Sequence, residues 1–218
     1  MIGAVIAMQS EAEILLQNMT VKDSFSVGNK KVYVGSAYEK ELVLCVCGVG
    51  KVNAAMGAQL VIDRFQAEKL LNFGVAGGLN DGTKLCQVYQ IAKAVQFDFD
   101  LTQLNGTQIG TLDEYTENYL PLSKANLSFE TKNLGTSDRF NDSKADYRLL
   151  TEELNADIRD MEGAAIVQTA IANNVPVYSV KAISDVAGSG STTEQFLINK
   201  DKALQNLTQV LHDIFKVL

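Results

Sequence analysis

Acids and glycines in this chain gather at a few places where chemistry on a small molecule is readily built. Glu11 and Glu13 follow the apolar run 2–8, Asp160-Met161-Glu162 opens a helical stretch, and Ser184-Asp185 ends the β-branched run 177–183. Carboxyl groups in unlike surroundings divide into acid and base, because burial and neighbouring charge move their proton affinities apart. Two glycine-rich turns accompany them, Gly48-Val49-Gly50-Lys51 and Gly74-Val75-Ala76-Gly77-Gly78. Glycine lets the backbone approach a flat ligand closely and leaves amide donors exposed. Neither turn is a nucleotide fingerprint. The first has Asn53 where a third glycine belongs, and Gly50-Lys51 lacks the upstream glycine and the Ser or Thr of a P-loop. The acids also have a plainer reading: Glu11, Glu13 and Glu162 suit the first turn of a helix, and Asp185 suits an N-cap.

The spacing of apolar residues predicts the elements that carry these groups. Strands are expected over residues 2–8, 31–34, 42–47, 70–73, 88–95, 134–136, 157–160 and 177–183. Helices are expected over 11–18 behind a Ser10 cap, then over 52–65, 144–153, 162–173 and 193–217. From Asp98 to about Lys132 the sequence is polar and aperiodic, which predicts loops and marginal strands. Strands alternating with helices imply an α/β layered fold with a largely parallel central sheet, whose ligands gather at the carboxyl ends of strands. No repeat, linker or low-complexity tract divides residues 1–218, so one domain is expected.

Composition narrows the functions open to the chain. Hydrophobic residues are 46% and charged residues 21%, which is globular rather than disordered or fibrous. Lys and Arg number 19 against 26 Asp and Glu, a net charge of −7, and this argues against a nucleic-acid partner. Cys45 and Cys47 share one apolar run and read with Cys86 as small buried hydrophobes, not a metal site. The lone histidine, His212, lies on a C-terminal amphipathic run, so His-based triads and multi-His zinc sites are excluded. No stretch nears the ~20 apolar residues of a membrane span, and the apolar start is short for a signal sequence. A cytoplasmic address without a membrane partner is expected.

Five motifs in order carry a resemblance: Ala7-Met8-Gln9-Ser10-Glu11, Gly48-Val49-Gly50-Lys51-Val52-Asn53-Ala54-Ala55, Gly74-Val75-Ala76-Gly77-Gly78, Asp160-Met161-Glu162-Gly163-Ala164-Ala165 and Lys181-Ala182-Ile183-Ser184-Asp185. Together they resemble the bacterial 5′-methylthioadenosine/S-adenosylhomocysteine nucleosidases of the purine nucleoside phosphorylase superfamily, over essentially the whole chain. The resemblance implies a three-layer αβα sandwich around a mixed, partly barrel-like sheet, a homodimer, and no metal or organic cofactor. It implies that Asp185 is the general acid at adenine N7, that Glu11 activates water, and that Glu162 binds the ribose hydroxyls with Met161 against the sugar. Phe140 is implied to stack on the purine, Asn141 to offer backbone contacts to its edge, and Ala76, Gly77 and Ser184 to line its site. Met8, Val49 and Phe196 are implied to wall the 5′-alkylthio group.

The reaction so implied is hydrolysis of an N-glycosidic bond through a cationic sugar, which needs an acid at the base, a base for water and a carboxylate at the ribose. The chain departs from the family pattern at Val75 (commonly Ser), at Lys181 (usually Arg) and in the 97–106 segment, where Leu101, Leu104 and Gly106 stand near the alkylthio pocket. Three alternatives stay open: a phosphate-dependent phosphorylase, a futalosine-type nucleoside hydrolase, and a non-catalytic nucleoside-binding or storage protein. A phosphorylase needs cationic groups for phosphate, and the arginines here, Arg64, Arg139, Arg148 and Arg159, avoid the N-terminal motifs.

Overall fold

The computed structural model describes residues 1–80 and 82–218. In chain order the elements are β1 (Ile2–Ile6), α1 (Gln9–Leu16), β2 (Met19–Val27), β3 (Lys30–Ala37), β4 (Lys40–Val46), α2 (Lys51–Phe65), β5 (Lys69–Gly78) and β6 (Val88–Gln96). There follow α3 (Thr102–Asn105), β7 (Leu120–Pro121), β8 (Thr131–Thr136), α4 (Lys144–Arg148), β9 (Ile158–Asp160), α5 (Gly163–Ala172), β10 (Val177–Val186) and α6 (Thr192–Val217). A π-helical turn, Leu149–Glu153, prolongs α4.

Five strands close into a barrel. β5 pairs in parallel with β10, β10 antiparallel with β6, β6 in parallel with β8, β8 in parallel with β9, and β9 antiparallel with β5. From β5 the sheet runs outward through β1, β4, β3 and β2, and β7 pairs with β6 outside this path. A largely parallel sheet was the expectation from alternation alone, and it is corrected here. The meander β2–β3–β4 reverses direction at tight turns, and β5–β9 and β10–β6 pair antiparallel, so the sheet is mixed.

Two cores sandwich the extended part of the sheet, because successive side chains of a strand point to opposite faces. Val5 of β1 and Val43 and Cys45 of β4 join α2 and α5 residues such as Ala58, Val61, Ile166 and Ala170. Ala4 and Ile6, with Leu42 and Leu44, face the other way onto Leu15 of α1 and Leu207, Leu211 and Phe215 of α6. Both faces are covered by helices, which gives the layered αβα arrangement implied by the resemblance.

Local departures from the expected elements have local causes. β2 was not anticipated: most of its residues are exposed, so it carries little apolar pattern, and it is held as an edge strand by β3. The helix after β1 is capped at Met8 rather than Ser10, with Glu11 at its third position accepting the Met8 N–H. β5 does not stop at Phe73 but runs through the glycines to Gly78, because their pairing with Lys181, Asp185, Val186 and β9 continues the ladder.

Candidate active site

α1 begins directly beyond β1, so its first turn faces the barrel rim. Glu11 is 3% exposed there. The Val75 N–H donates to its Oε1 at 2.9 Å and the Met8 N–H to its Oε2 at 3.1 Å. Gly74 makes this approach feasible, since a Cβ at that position would lie 2.3 Å from Glu11 Oε1. Burial pushes the Glu11 carboxyl above its usual range, against Lys181 and the two backbone donors. Glu13, on the same helix, faces solvent and takes no part.

Glu162 caps the start of α5 and is 8% exposed. The Gly50 N–H donates to its Oε1 at 2.9 Å, from a residue at φ +100°, a conformation for which glycine is suited. Burial first, then Asp160, pushes the Glu162 carboxyl up to about 7, with Lys181 opposing. Asp160 itself is a scaffold: it accepts the Thr136 hydroxyl at 2.6 Å and the Gly163 N–H at 2.9 Å, and pairs with Lys181 at 2.9 Å.

Asp185 follows a register shift in β10 after Ile183 and pairs across to Gly77 of β5. Such irregularities re-aim side chains. Asp185 is 3% exposed, and the Ser184 hydroxyl donates to its Oδ2 at 2.8 Å. Burial pushes its carboxyl above the usual range, opposed by the Ser184 hydroxyl and by Arg159.

Glu11, Glu162 and Asp185 open into one cavity of about 370 Å³. Met8, Val49, Ala76, Gly77, Phe140, Met161, Ser184 and Phe196 share its wall, as do Val75, Arg159, Thr193 and Leu197. Phe140 and Phe196 meet edge to face with ring centroids 5.8 Å apart. The segment carrying Phe140 is tied to α6 where the Thr192 hydroxyl donates to Asp142 at 2.7 Å. Asn141 is outside this wall: its amide donates to Asp146 at 3.0 Å and its Oδ1 accepts the Ser143 N–H at 3.0 Å, which organises the start of α4.

Leu101, Leu104 and Gly106 are likewise outside the cavity wall. Among the described residues, no group of three or more His, Cys, Asp or Glu is placed to hold a metal ion. Cys45 and Cys47 are buried, and burial pushes their thiols up to about 11 and about 12, where they are unreactive.

Two functional neighbours had no role assigned from sequence. Lys181 is 2% exposed between Val180 and Ala182 in a buried strand, and a buried lysine requires a partner. That signal is readable in the run 177–183. Arg159 reaches the cavity only because β9 folds against β5, and no local pattern marks it.

Comparison with known proteins points the same way. The Phosphorylase superfamily profile matches residues 1–216. A 5′-methylthioadenosine/S-adenosylhomocysteine nucleosidase of Listeria monocytogenes is 31% identical over 206 residues, 88% of each chain. An aminodeoxyfutalosine nucleosidase of Campylobacter jejuni is 30% identical over 212 residues, 92% of this chain and 93% of that one. The crystal structure of the Neisseria meningitidis 5′-methylthioadenosine/S-adenosylhomocysteine nucleosidase with methylthio-immucillin-A superposes with a TM-score of 0.90 at 25% identity, covering 100% of this chain and 99% of that one.

Proposed function

The chain belongs to the Phosphorylase superfamily, and from that premise we propose that it is a 5′-methylthioadenosine/S-adenosylhomocysteine nucleosidase. The observation that carries this reading is the convergence of Glu11, Glu162 and Asp185, 3%, 8% and 3% exposed, on one cavity flanked by Phe140 and Phe196.

The purine stacks on Phe140 with N7 toward Asp185. Asp185, whose proton affinity burial raises, gives its proton to N7 as the N9–C1′ bond breaks and the bonding electrons pass to the base. Glu162 accepts the ribose hydroxyls and favours the positive charge that develops on the sugar. Water held at Glu11 adds its oxygen to C1′ and loses a proton to the Glu11 carboxylate. Adenine and the 5-thio-substituted ribose leave, and exchange with solvent restores both carboxyl groups. Met161 packs on the sugar, Ala76, Gly77 and the Asn141 backbone border the base, and Met8, Val49 and Phe196 surround the 5′ substituent.

Water rather than phosphate is the acceptor in this reading. A carboxylate at Glu11 repels an anion, and the buried cation Lys181 is engaged by Asp160. The test is product analysis with and without phosphate: free 5-methylthioribose supports hydrolysis, and strict dependence on phosphate with a sugar 1-phosphate product refutes it. An aminodeoxyfutalosine nucleosidase is the second reading, supported by the Campylobacter relative. It keeps the same acid and base and differs at the 5′ substituent, so relative kcat/KM on the two nucleosides separates them.

The working unit in this reading is a single-domain chain of residues 1–218, active as a cytoplasmic homodimer. Among the described residues no helix is long and apolar enough to cross a membrane. Val52 and Met56, one turn apart on α2, are 71% and 56% exposed, and Leu104 is 79% exposed. The Lys51–Asp98 ion pair at 2.6 Å joins the start of α2 to the segment leading to Leu104. Phe97 of that segment is buried at 3% and belongs to the chain's own core, so the apolar surface offered to a second copy is α2 and Leu104.

A further inference from the structure

We propose that Arg159 sets which purines this site accepts, admitting 6-oxopurine nucleosides alongside 6-aminopurine ones. The inference rests on the nucleosidase reading, in which Asp185 faces N7.

Gly77 of β5 lies between two partners, pairing with Arg159 of β9 on one side and with Asp185 of β10 on the other. A Cβ at Gly77 would stand 2.8 Å from Asp185 Oδ1 and 3.2 Å from Arg159 Nε. The missing side chain therefore brings the carboxyl and the guanidinium together along one cavity wall. Arg159 Nη2 is 3.9 Å from Asp185 Oδ1, too far for a hydrogen bond. The same nitrogen is buried without a hydrogen-bond partner among the described residues. A guanidinium donor left unsatisfied beside a ligand cavity is costly, and a ligand acceptor relieves it.

The two purine classes differ at this edge. Adenine presents an acceptor at N7 and a donor at its 6-amino group, whereas a 6-oxopurine presents acceptors at both N7 and O6. Asp185 alone suits adenine, since its hydroxyl donates to N7 and its other oxygen accepts from the amino group. Asp185 with Arg159 offers two donors, and two donors match N7 and O6. An arginine carries no acceptor, so it gives nothing to a 6-amino group. Burial raises the proton affinity of Asp185 against the nearby guanidinium, which favours its role as acid for either base.

The test compares 5′-methylthioadenosine with 5′-methylthioinosine, which differ in the group at C6 and in the N1 proton that the oxo form carries. The wild-type protein is expected to release hypoxanthine with a kcat/KM within about thirtyfold of that for adenine release, the scale of one base-edge contact. Arg159→Met, of similar length and without donors, is expected to move that ratio toward adenine by about tenfold or more. Calorimetric binding of free hypoxanthine and adenine to the wild-type protein gives the same comparison without a variant, with affinities expected within about thirtyfold. Turnover of the adenine nucleoside alone, or a ratio that Arg159→Met leaves unchanged, overturns this inference and leaves the nucleosidase reading standing. Turnover of neither nucleoside overturns both.

Discussion

The Lys181 ammonium lies 2.9 Å from the Asp160 carboxylate, and their side chains are 3% and 2% exposed. This pair joins β10 to β9 beneath Glu162 and Glu11. Burial pulls the lysine's proton affinity down, but Asp160, Glu162 and Glu11 outweigh it and hold Lys181 above its usual range. Asp160 in turn accepts the first amide of α5, the Gly163 N–H, with both carboxylate oxygens.

Removing one member of a buried pair strands the other. Lys181→Met is therefore expected to destabilise the fold by about 3–5 kcal/mol, read by urea unfolding. Adding Asp160→Asn to it is expected to cost less than the sum of the two single changes, because neither charge is then left alone. Simple additivity would show that the two groups do not interact.

Glu162 links stability to pH with a definite sign. Its carboxyl is pushed up to about 7 in the folded protein, whereas the unfolded chain titrates near the ordinary ~4.3. Between those values the folded state binds more protons, so stability falls as pH rises, by roughly 3–4 kcal/mol in all, and levels off above about 7. Glu11 and Asp185 are shifted in the same direction and add to the trend. Urea midpoints at pH 5 and pH 8 should differ less in Glu162→Gln than in the wild type; an equal difference would exclude Glu162 as a source.

Asp185→Asn keeps the shape of the side chain but cannot deliver a proton to N7. Its kcat is expected to fall by about 10²–10⁴, while a 5′-alkylthio adenosine still binds through Phe140 and Glu162. A folded Asn variant within threefold of the parent, about 0.65 kcal/mol, would remove Asp185 from the role of acid.

Gly74→Ala probes the water-activating side. The new methyl would meet Glu11 Oε1 at 2.3 Å, forcing the carboxylate off the Val75 N–H. A misplaced base of this kind is expected to lower kcat by about 10²-fold with little change in nucleoside affinity. Unchanged kcat would mean that Glu11 does not need its present position.

The exposed residues of α2 give a test of assembly. Sedimentation is expected to show a homodimer at micromolar concentration, and Met56→Lys, placing a charge on a face with Val52, is expected to shift it toward monomer. A wild-type monomer with full activity would overturn the dimer.

Much of this arrangement is legible along the chain. The apolar run of β10 ending in Ser184-Asp185, the glycines after Phe73, and acids at the starts of α1 and α5 identify the rim and its chemistry, because local period and turn residues report strands, helices and their ends. The ordered motifs around Glu11, Glu162 and Asp185 imply the fold and the reaction, and the lone histidine with no metal-ligand spacing narrows the class of catalyst. The edge strand β2 escapes that reading, since solvent surrounds it and no apolar alternation is required.

The tertiary structure alone decides how the charges divide their work. Asp160, two residues before Glu162 and chemically similar, turns inward to Lys181 and the first amide of α5, while Glu162 turns to Gly50 and the cavity. Asn141 turns to α4 rather than into the cavity. Arg159 meets Asp185 across Gly77 only because β9 and β10 flank β5 as the barrel closes. Register between strands distant in sequence sets those meetings, and burial, a property of the closed barrel, raises the proton affinity of Glu11, Glu162 and Asp185.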